Sequence, residues 1–236
     1  MSDYDRNVAA FPGAARTVAV DAGLRAHMIR VYNYMAGGVA LTGVVAYFTN
    51  QLLGPTLYGS PVMYVLIFAP LVLVFFLSFR IQSLSASTAR ALFFVYAALV
   101  GASLSIIFAV YTDSSITRVF FISAAAFGGL SLWGYTTQRD LSGMGSFLMM
   151  GLIGIIIASL VNIFLRSSGL DWILSVIGVI VFAGLTAWDT QKIKEMYSPM
   201  DDGTVAGRKA VMGALSLYLD FINLFLMLLR LFGERR

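Results

Sequence analysis

Residues 214–230 read ALSLYLDFINLFLMLLR. Between Lys209 and Arg230 the one charged residue is Asp220, 11 positions beyond the first and 10 before the second. At about 1.5 Å per residue, Asp220 is roughly 15 Å from either flank of such a helix. A helix of about 20 apolar residues crosses the hydrocarbon of a bilayer, so this position falls near its middle. An ionised acid there costs at least about 2.5–3.5 kcal/mol. Asp220 is therefore expected to face a bundle interior, to be protonated, or to have a partner. One reading makes it helix glue, hydrogen-bonded to a neighbouring hydroxyl or amide. The other makes it a functional group, the default standing of an intramembrane acid.

The rest of the chain fits a membrane setting. Hydrophobic residues make up 59% of the 236 and charged residues 12%, about half the roughly 25% charged share of soluble domains. The net charge of +4 is scattered, with no long run of like charges and no aromatic-basic platform. Nucleic acid is therefore not an expected partner, whereas the lipid bilayer is. There is no cysteine, which removes disulfides and thiol chemistry and leaves the redox compartment open.

No charge appears between Arg30 and Arg80. Asn50-Gln51, Gly54-Pro55, Gly59 and Pro61 divide that run into helices predicted at about 28–50 and 62–80. A Ser-rich stretch from Arg80 to Arg90 leads to a third at about 90–111, and a fourth follows Asp113 and Arg118 to about 136. After Arg139-Asp140 comes a fifth at about 144–165, and after a turn at Arg166 to Asp171 a sixth at about 171–193. A polar insertion, 194–209, precedes the last helix at about 210–232. The predicted fold is an all-α membrane protein, a seven-transmembrane-helix bundle forming one domain (28–236) behind a flexible polar N-terminal tail (1–27). Gly37-Gly38, Gly128-Gly129, Gly151 and Gly154 suit close helix packing in lipid. Tyr32, Tyr34, Trp133 and Trp172 suit interfacial anchoring.

Lysine and arginine placement orients the bundle. With the N-terminus cytoplasmic, the inner segments hold Arg6, Arg16, Arg25, Arg30, Arg80, Arg90, Arg139, Lys192, Lys194, Arg208 and Lys209, 11 residues. The outer segments hold Arg118, Arg166, Arg230, Arg235 and Arg236, 5 residues. Positive charge inside favours this orientation. Seven spans then put the C-terminus outside, against the pull of its own arginines, and a re-entrant last segment would return it to the cytoplasm.

Asp189 ends the sixth span, followed by Lys192 and Lys194. Alone it reads equally well as a helix-end carboxylate paired with Lys192 at i+3. The sixth and seventh helices are consecutive and antiparallel, however, and both acids fall in their cytoplasmic halves. Two carboxyls sharing a desolvated site hold one proton between them near neutral pH. Losing that proton leaves two like charges, which push the helices apart or recruit a hard cation such as calcium. Counted from the flanking lysines, Asp220 lies deeper than Asp189 by about 10 Å. Pairing requires the last helix to begin in water near Arg208, or the sixth to continue past Lys192.

Here the sequence resembles a known family. WDTQKIK (188–194) and ALSLYLDFINLFLMLLRLFG (214–233) are similar to the two most characteristic motifs of the Bax inhibitor (transmembrane Bax inhibitor motif) proteins, and the likeness covers about 28–233. The resemblance implies two three-helix layers around a central last helix. It implies a pH-sensitive calcium leak gated by an aspartate pair, which carries over onto Asp189 and Asp220. No cofactor is implied beyond calcium itself, as permeant or as an ion bound by those two acids. An arginine latch at the end of the second helix matches Arg80 in FFLSFR, with Arg90 open as an alternative, and Arg230 matches an arginine near the end of the last helix. An interfacial arginine explains either position equally well. Some bacterial relatives carry a glutamate within the second helix, where IFAPLVLVF here has no acid and holds Pro70. Some also modulate a membrane-bound AAA protease, which the N-terminal tail here could engage. The implied location is a bacterial inner (plasma) membrane.

Other functions find few parts. There is no HExxH zinc pattern, and the only histidine, His27, precedes the first span. A retinal-type protein needs a lysine in the last helix, and 210–232 contains none. Pro70 is the only candidate for the midplane helix breaks of a secondary transporter. An enzyme is not expected.

Overall fold

Pro61, Ser85, Thr112, Ser167 and Asp202 mark where helices begin. Each sits at a helix start where backbone N–H groups lack intrahelical acceptors. The Asp202 carboxylate accepts from the N–H of Thr204 and Val205 at 2.8 and 2.7 Å, and Ser85 accepts from Thr88 at 3.1 Å. Thr112 and Ser167 do the same for Ser115 and Leu170, and Pro61 occupies a first-turn position that needs no donor. A computed structural model describes residues 12–236, with side chains from Asp21 onward.

The helices are α1 (Pro12–Leu57), α2 (Pro61–Arg80), α3 (Ala86–Leu104), the one-turn α4 (Ile107–Val110), α5 (Asp113–Thr136), α6 (Ser142–Leu165), α7 (Ser168–Met196) and α8 (Gly203–Phe232). No strand forms among the described residues; Tyr111 and Arg235 make a single isolated bridge. Among the described residues, six stretches are long and apolar enough to cross a membrane: α2, α3 with α4, α5, α6, α7 and α8. The polar Tyr32-Asn33-Tyr34 and Asn50-Gln51 dilute α1, yet its two ends lie at opposite faces. About four turns in, before its apolar stretch, His27 packs on Tyr197 of the α7–α8 loop, ring centroids 5.8 Å apart. Just past its end, the Tyr58 hydroxyl donates to the carbonyl of Ser105 at the far end of α3, at 2.8 Å.

One layer packs α1 and α2 against α3, and the other packs α5 and α6 against α7. Between them runs α8, which touches α1, α3, α5 and α7. The burial gradient follows. Of the most apolar stretch of α8, 72% is buried, against 11% for α6 and 17% for α2. In lipid an outer helix keeps its apolar face outward because the hydrocarbon is as apolar as leucine. Two close backbone approaches hold the layers: a Cβ at Gly101 would meet the Thr42 carbonyl of α1 at 2.6 Å, and one at Gly134 would overlap the Ala187 backbone of α7. Gly128, Gly129 and Gly154, expected to serve packing, face open space instead.

Several boundaries shift from the sequence expectation. Helix α1 begins at Pro12, so residues 12–27 of the expected tail are helical, and His27 and Met28 are buried at its inner face. Residues 1–11 lie outside the described part. The polar insertion of 194–209 shrinks to a loop of 197–202, because α7 continues to Met196 and α8 starts at Gly203. Helices α1 and α2 continue through Pro55 and Pro70.

The C-terminus lies on the face opposite the start of α1. Helix α8 is continuous to Phe232, so no re-entrant turn occurs. Its tail is clasped there. Glu234 accepts from Thr112 N–H and Arg236 donates to the Val110 carbonyl, both at 3.0 Å. The arginines that argued against this placement meet acids from distant segments: Arg236 with Asp113 at 2.8 Å and Arg230 with Asp171 at 3.5 Å. Arg118 pairs with Glu234 at 3.0 Å.

Candidate functional site

Helices α7 and α8 form the most extensive helix pair of the bundle. Their register is set by small residues and one lysine. The Ile193 side chain fits against Gly213, and Met227 lies across Gly178. Lys209 reaches back from α8 to donate to the carbonyl of Met196 at 2.9 Å, and to Asp201 at 2.6 Å. The first turns of α8 thus stand beyond the end of α7. This stagger offsets the depth difference counted from the lysines and brings Asp189 level with residues about one turn before Asp220.

The two carboxyl side chains face each other within hydrogen-bonding reach. Two carboxyls can bond this way only if one carries a proton, since an ionised carboxylate is an acceptor alone. Asp220 is 5% exposed and its Oδ2 is buried without a further partner, while Asp189 is half-buried. Lys192 does not ion-pair with Asp189; its Nζ lies over the Trp188 ring, 4.8 Å from the centroid. Trp188 in turn fits only because Gly145 of α6 has no side chain to overlap it.

Around the pair, hydroxyls tie the layers together. Tyr32 of α1 meets Ser131 of α5 at 2.6 Å, and Ser131 meets Thr190 of α7 at 2.9 Å. On the other side, Tyr218 of α8 meets Thr42 of α1 at 2.6 Å, and Thr42 donates to Ala97 of α3 at 2.9 Å. Buried hydroxyls with partners rigidify a bundle in lipid at little net cost.

The two candidate arginines stand elsewhere. Arg80 is exposed at the end of α2 and makes no ion pair among the described residues, as does Arg90 on α3. The arginine joining this region to α8 is Arg208, which donates to the Gln82 carbonyl. Arg230 is about 15 Å along α8 from Asp220 and binds Asp171 instead. Helix α2 packs on α3 rather than α8, so Pro70 stands apart from the pair.

A cavity of about 610 Å³ opens beside the aspartates, between α6, α7 and α8. Its polar lining comes from Asp189, Asp220, Lys192, Ser159, Ser216 and Asn223. The last three are functional candidates that the sequence reading passed over. Ser216 and Asn223 stand four before and three after Asp220, a spacing that puts all three on one helix face. No cluster of three or more His, Cys, Asp or Glu side chains capable of holding a metal occurs among the described residues. Two carboxyls with neutral oxygens nearby suit a cation that passes and keeps part of its water, more than a closed metal cage.

Six helices long and apolar enough to cross a membrane, packed as one bundle among the described residues, make this an all-α integral membrane protein. The sequence matches the family described as "Inhibitor of apoptosis-promoting Bax1" over residues 24–236. This chain belongs to that Bax inhibitor family. It is 50% identical to the inner membrane protein YbhL of Escherichia coli (strain K12) over 231 residues, covering 96% of this chain and 99% of that one. It is 49% identical to the uncharacterised protein RP147 of Rickettsia prowazekii (strain Madrid E), over the full length of both. An uncharacterised protein of Caulobacter vibrioides is 44% identical, again over the full length of both.

Proposed function

We propose that this protein is a pH-sensitive cation leak, with calcium as the permeant ion, gated by the proton that Asp189 and Asp220 share. The observation that carries this reading is the meeting of two carboxyls from α7 and α8 inside the bundle, with one Asp220 oxygen left unpartnered. With the proton in place, the pair draws the two helices together. Without it, two like charges face each other in a poorly hydrated site, and either the helices part or a cation moves in to offset the repulsion. Flux therefore rises with pH. No catalysis and no bound cofactor enter this mechanism. The protein lies in a bacterial inner membrane with the start of α1 in the cytoplasm, a placement that rests on its lysine and arginine bias and on its likeness to YbhL.

The test is calcium flux into proteoliposomes across pH for wild type and Asp220→Asn. A flattened pH response in the variant supports the gate, and an unchanged one removes it. A second reading, modulation of a membrane AAA protease, draws on the polar N-terminal segment that precedes α1. Deleting residues 2–11 separates the two: it abolishes protease association and leaves flux intact, whereas Asp220→Asn does the reverse.

A further inference from the structure

Helix α6 packs chiefly on α7, so the cavity beside the aspartates is a groove between α6 and α8 with α7 as its floor. Membrane-facing grooves are ordinarily lined by carbon, because each unsatisfied polar group in hydrocarbon costs several kcal/mol. This groove is mostly apolar but carries a polar row. Ser216, Asp220 and Asn223 follow one face of α8, and Ser159 stands on the α6 wall.

Asn223 is the informative member. Its Nδ2 donates to the carbonyl of Leu219, one turn back, at 2.8 Å. That bond fixes the amide and leaves its carbonyl oxygen with no donor among the described residues. One turn away, Oδ2 of Asp220 is buried and has no donor either, whereas Asn223 is half-buried. Two acceptors without donors, one turn apart on the same face and bordering the same cavity, are a site waiting for positive charge. Oxygen ligands of mixed charge, with room for retained water, are what a hard divalent cation takes.

We propose that this groove seats the permeating divalent cation, with the Asn223 amide oxygen and the Ser159 hydroxyl as ligands beside the aspartate pair. The proposal rests on the cation-leak reading and names the path that reading lacked. With no acid in α2, which packs chiefly on α3, the cation leaves the pair along α6. Lys192, at the end of the groove nearest the 197–202 loop, sets the charge at its mouth.

The experiment measures initial calcium flux into proteoliposomes at a pH where the wild type conducts, for Asn223→Ala, Asn223→Asp, Ser159→Ala and Asp220→Asn. Asn223→Ala is expected to lower flux about fivefold, the worth of one neutral ligand, without moving the pH midpoint. Asn223→Asp keeps the shape and adds charge, so half-saturation should come at a lower calcium concentration. If Asn223→Ala does not reconstitute, that half-saturation shift decides the question alone. An unchanged half-saturation in Asn223→Asp, with Asp220→Asn still flattening the pH response, overturns the seat and spares the gate. An Asp220→Asn profile matching the wild type overturns both.

Discussion

Lys209 of α8 donates to the main-chain carbonyl of Met196, the last residue of α7, at 2.9 Å, and to the Asp201 carboxylate between them at 2.6 Å. This partly buried link closes the α7–α8 hairpin and holds the stagger that brings Asp189 to Asp220. Lys209→Met keeps the length of the side chain and loses both bonds. It should destabilise the protein by about 1–3 kcal/mol, because Asp201 and a helix-end carbonyl both lose their donor. Thermal unfolding in detergent measures this. Arg118→Ala, which removes an exposed ion pair, should stay within about 0.5 kcal/mol of wild type.

Gly134 and Gly128 lie less than two turns apart on α5 and predict opposite outcomes. A methyl at Gly134 would overlap the Ala187 backbone, two residues from Asp189, whereas a methyl at Gly128 meets nothing within 4 Å. Gly134→Ala should therefore cost about 1–3 kcal/mol by forcing α5 from α7. Gly128→Ala should be neutral or slightly stabilising, since alanine is the better helix former. Equal losses in both would contradict the packing described for the second layer.

His27 supplies a pH dependence separate from the aspartates. It lies on the part of α1 that precedes the apolar span, 5% exposed, with Nε2 unpartnered among the described residues. Burial pushes its pKa below the ordinary 6.5, and Arg30 and Lys209 push the same way, against a smaller opposing pull from Asp201. The folded state thus prefers neutral His27, and between its lowered pKa and 6.5 the unfolded chain binds more protons. Stability from this group is full above that window and is lost as pH falls through it. His27→Gln should flatten this acid limb in unfolding measured from neutral pH downward. An unaltered limb would show that His27 binds its proton equally well in the folded and unfolded chain.

Parts of this arrangement were legible in the sequence and parts were not. Asp220 stands out by depth alone, because a charge 10 residues from any flank has no interface to reach. Asp189 does not, since Lys192 at i+3 offers an equally ordinary partner, and only the structure shows that lysine over Trp188. The stagger was hidden because residues 203–209, GTVAGRK, read as loop by composition, while the Asp202 cap and Lys209 contacts make them helix. The C-terminal arginines looked misplaced because their acids, Asp113 and Asp171, lie 123 and 59 residues away. Asn223 was passed over because a lone amide in an apolar helix carries no signal until the wall it faces is known.

The most direct measurement is the pH profile of calcium flux in proteoliposomes for wild type, Asp189→Asn, Asp220→Asn and the double variant. One shared proton predicts that each single variant flattens the profile to the same extent and that the double adds nothing further, since either loss already abolishes the unit. Independent, additive shifts from the two substitutions, or profiles that follow the wild type in all three variants, would contradict the shared-proton gate.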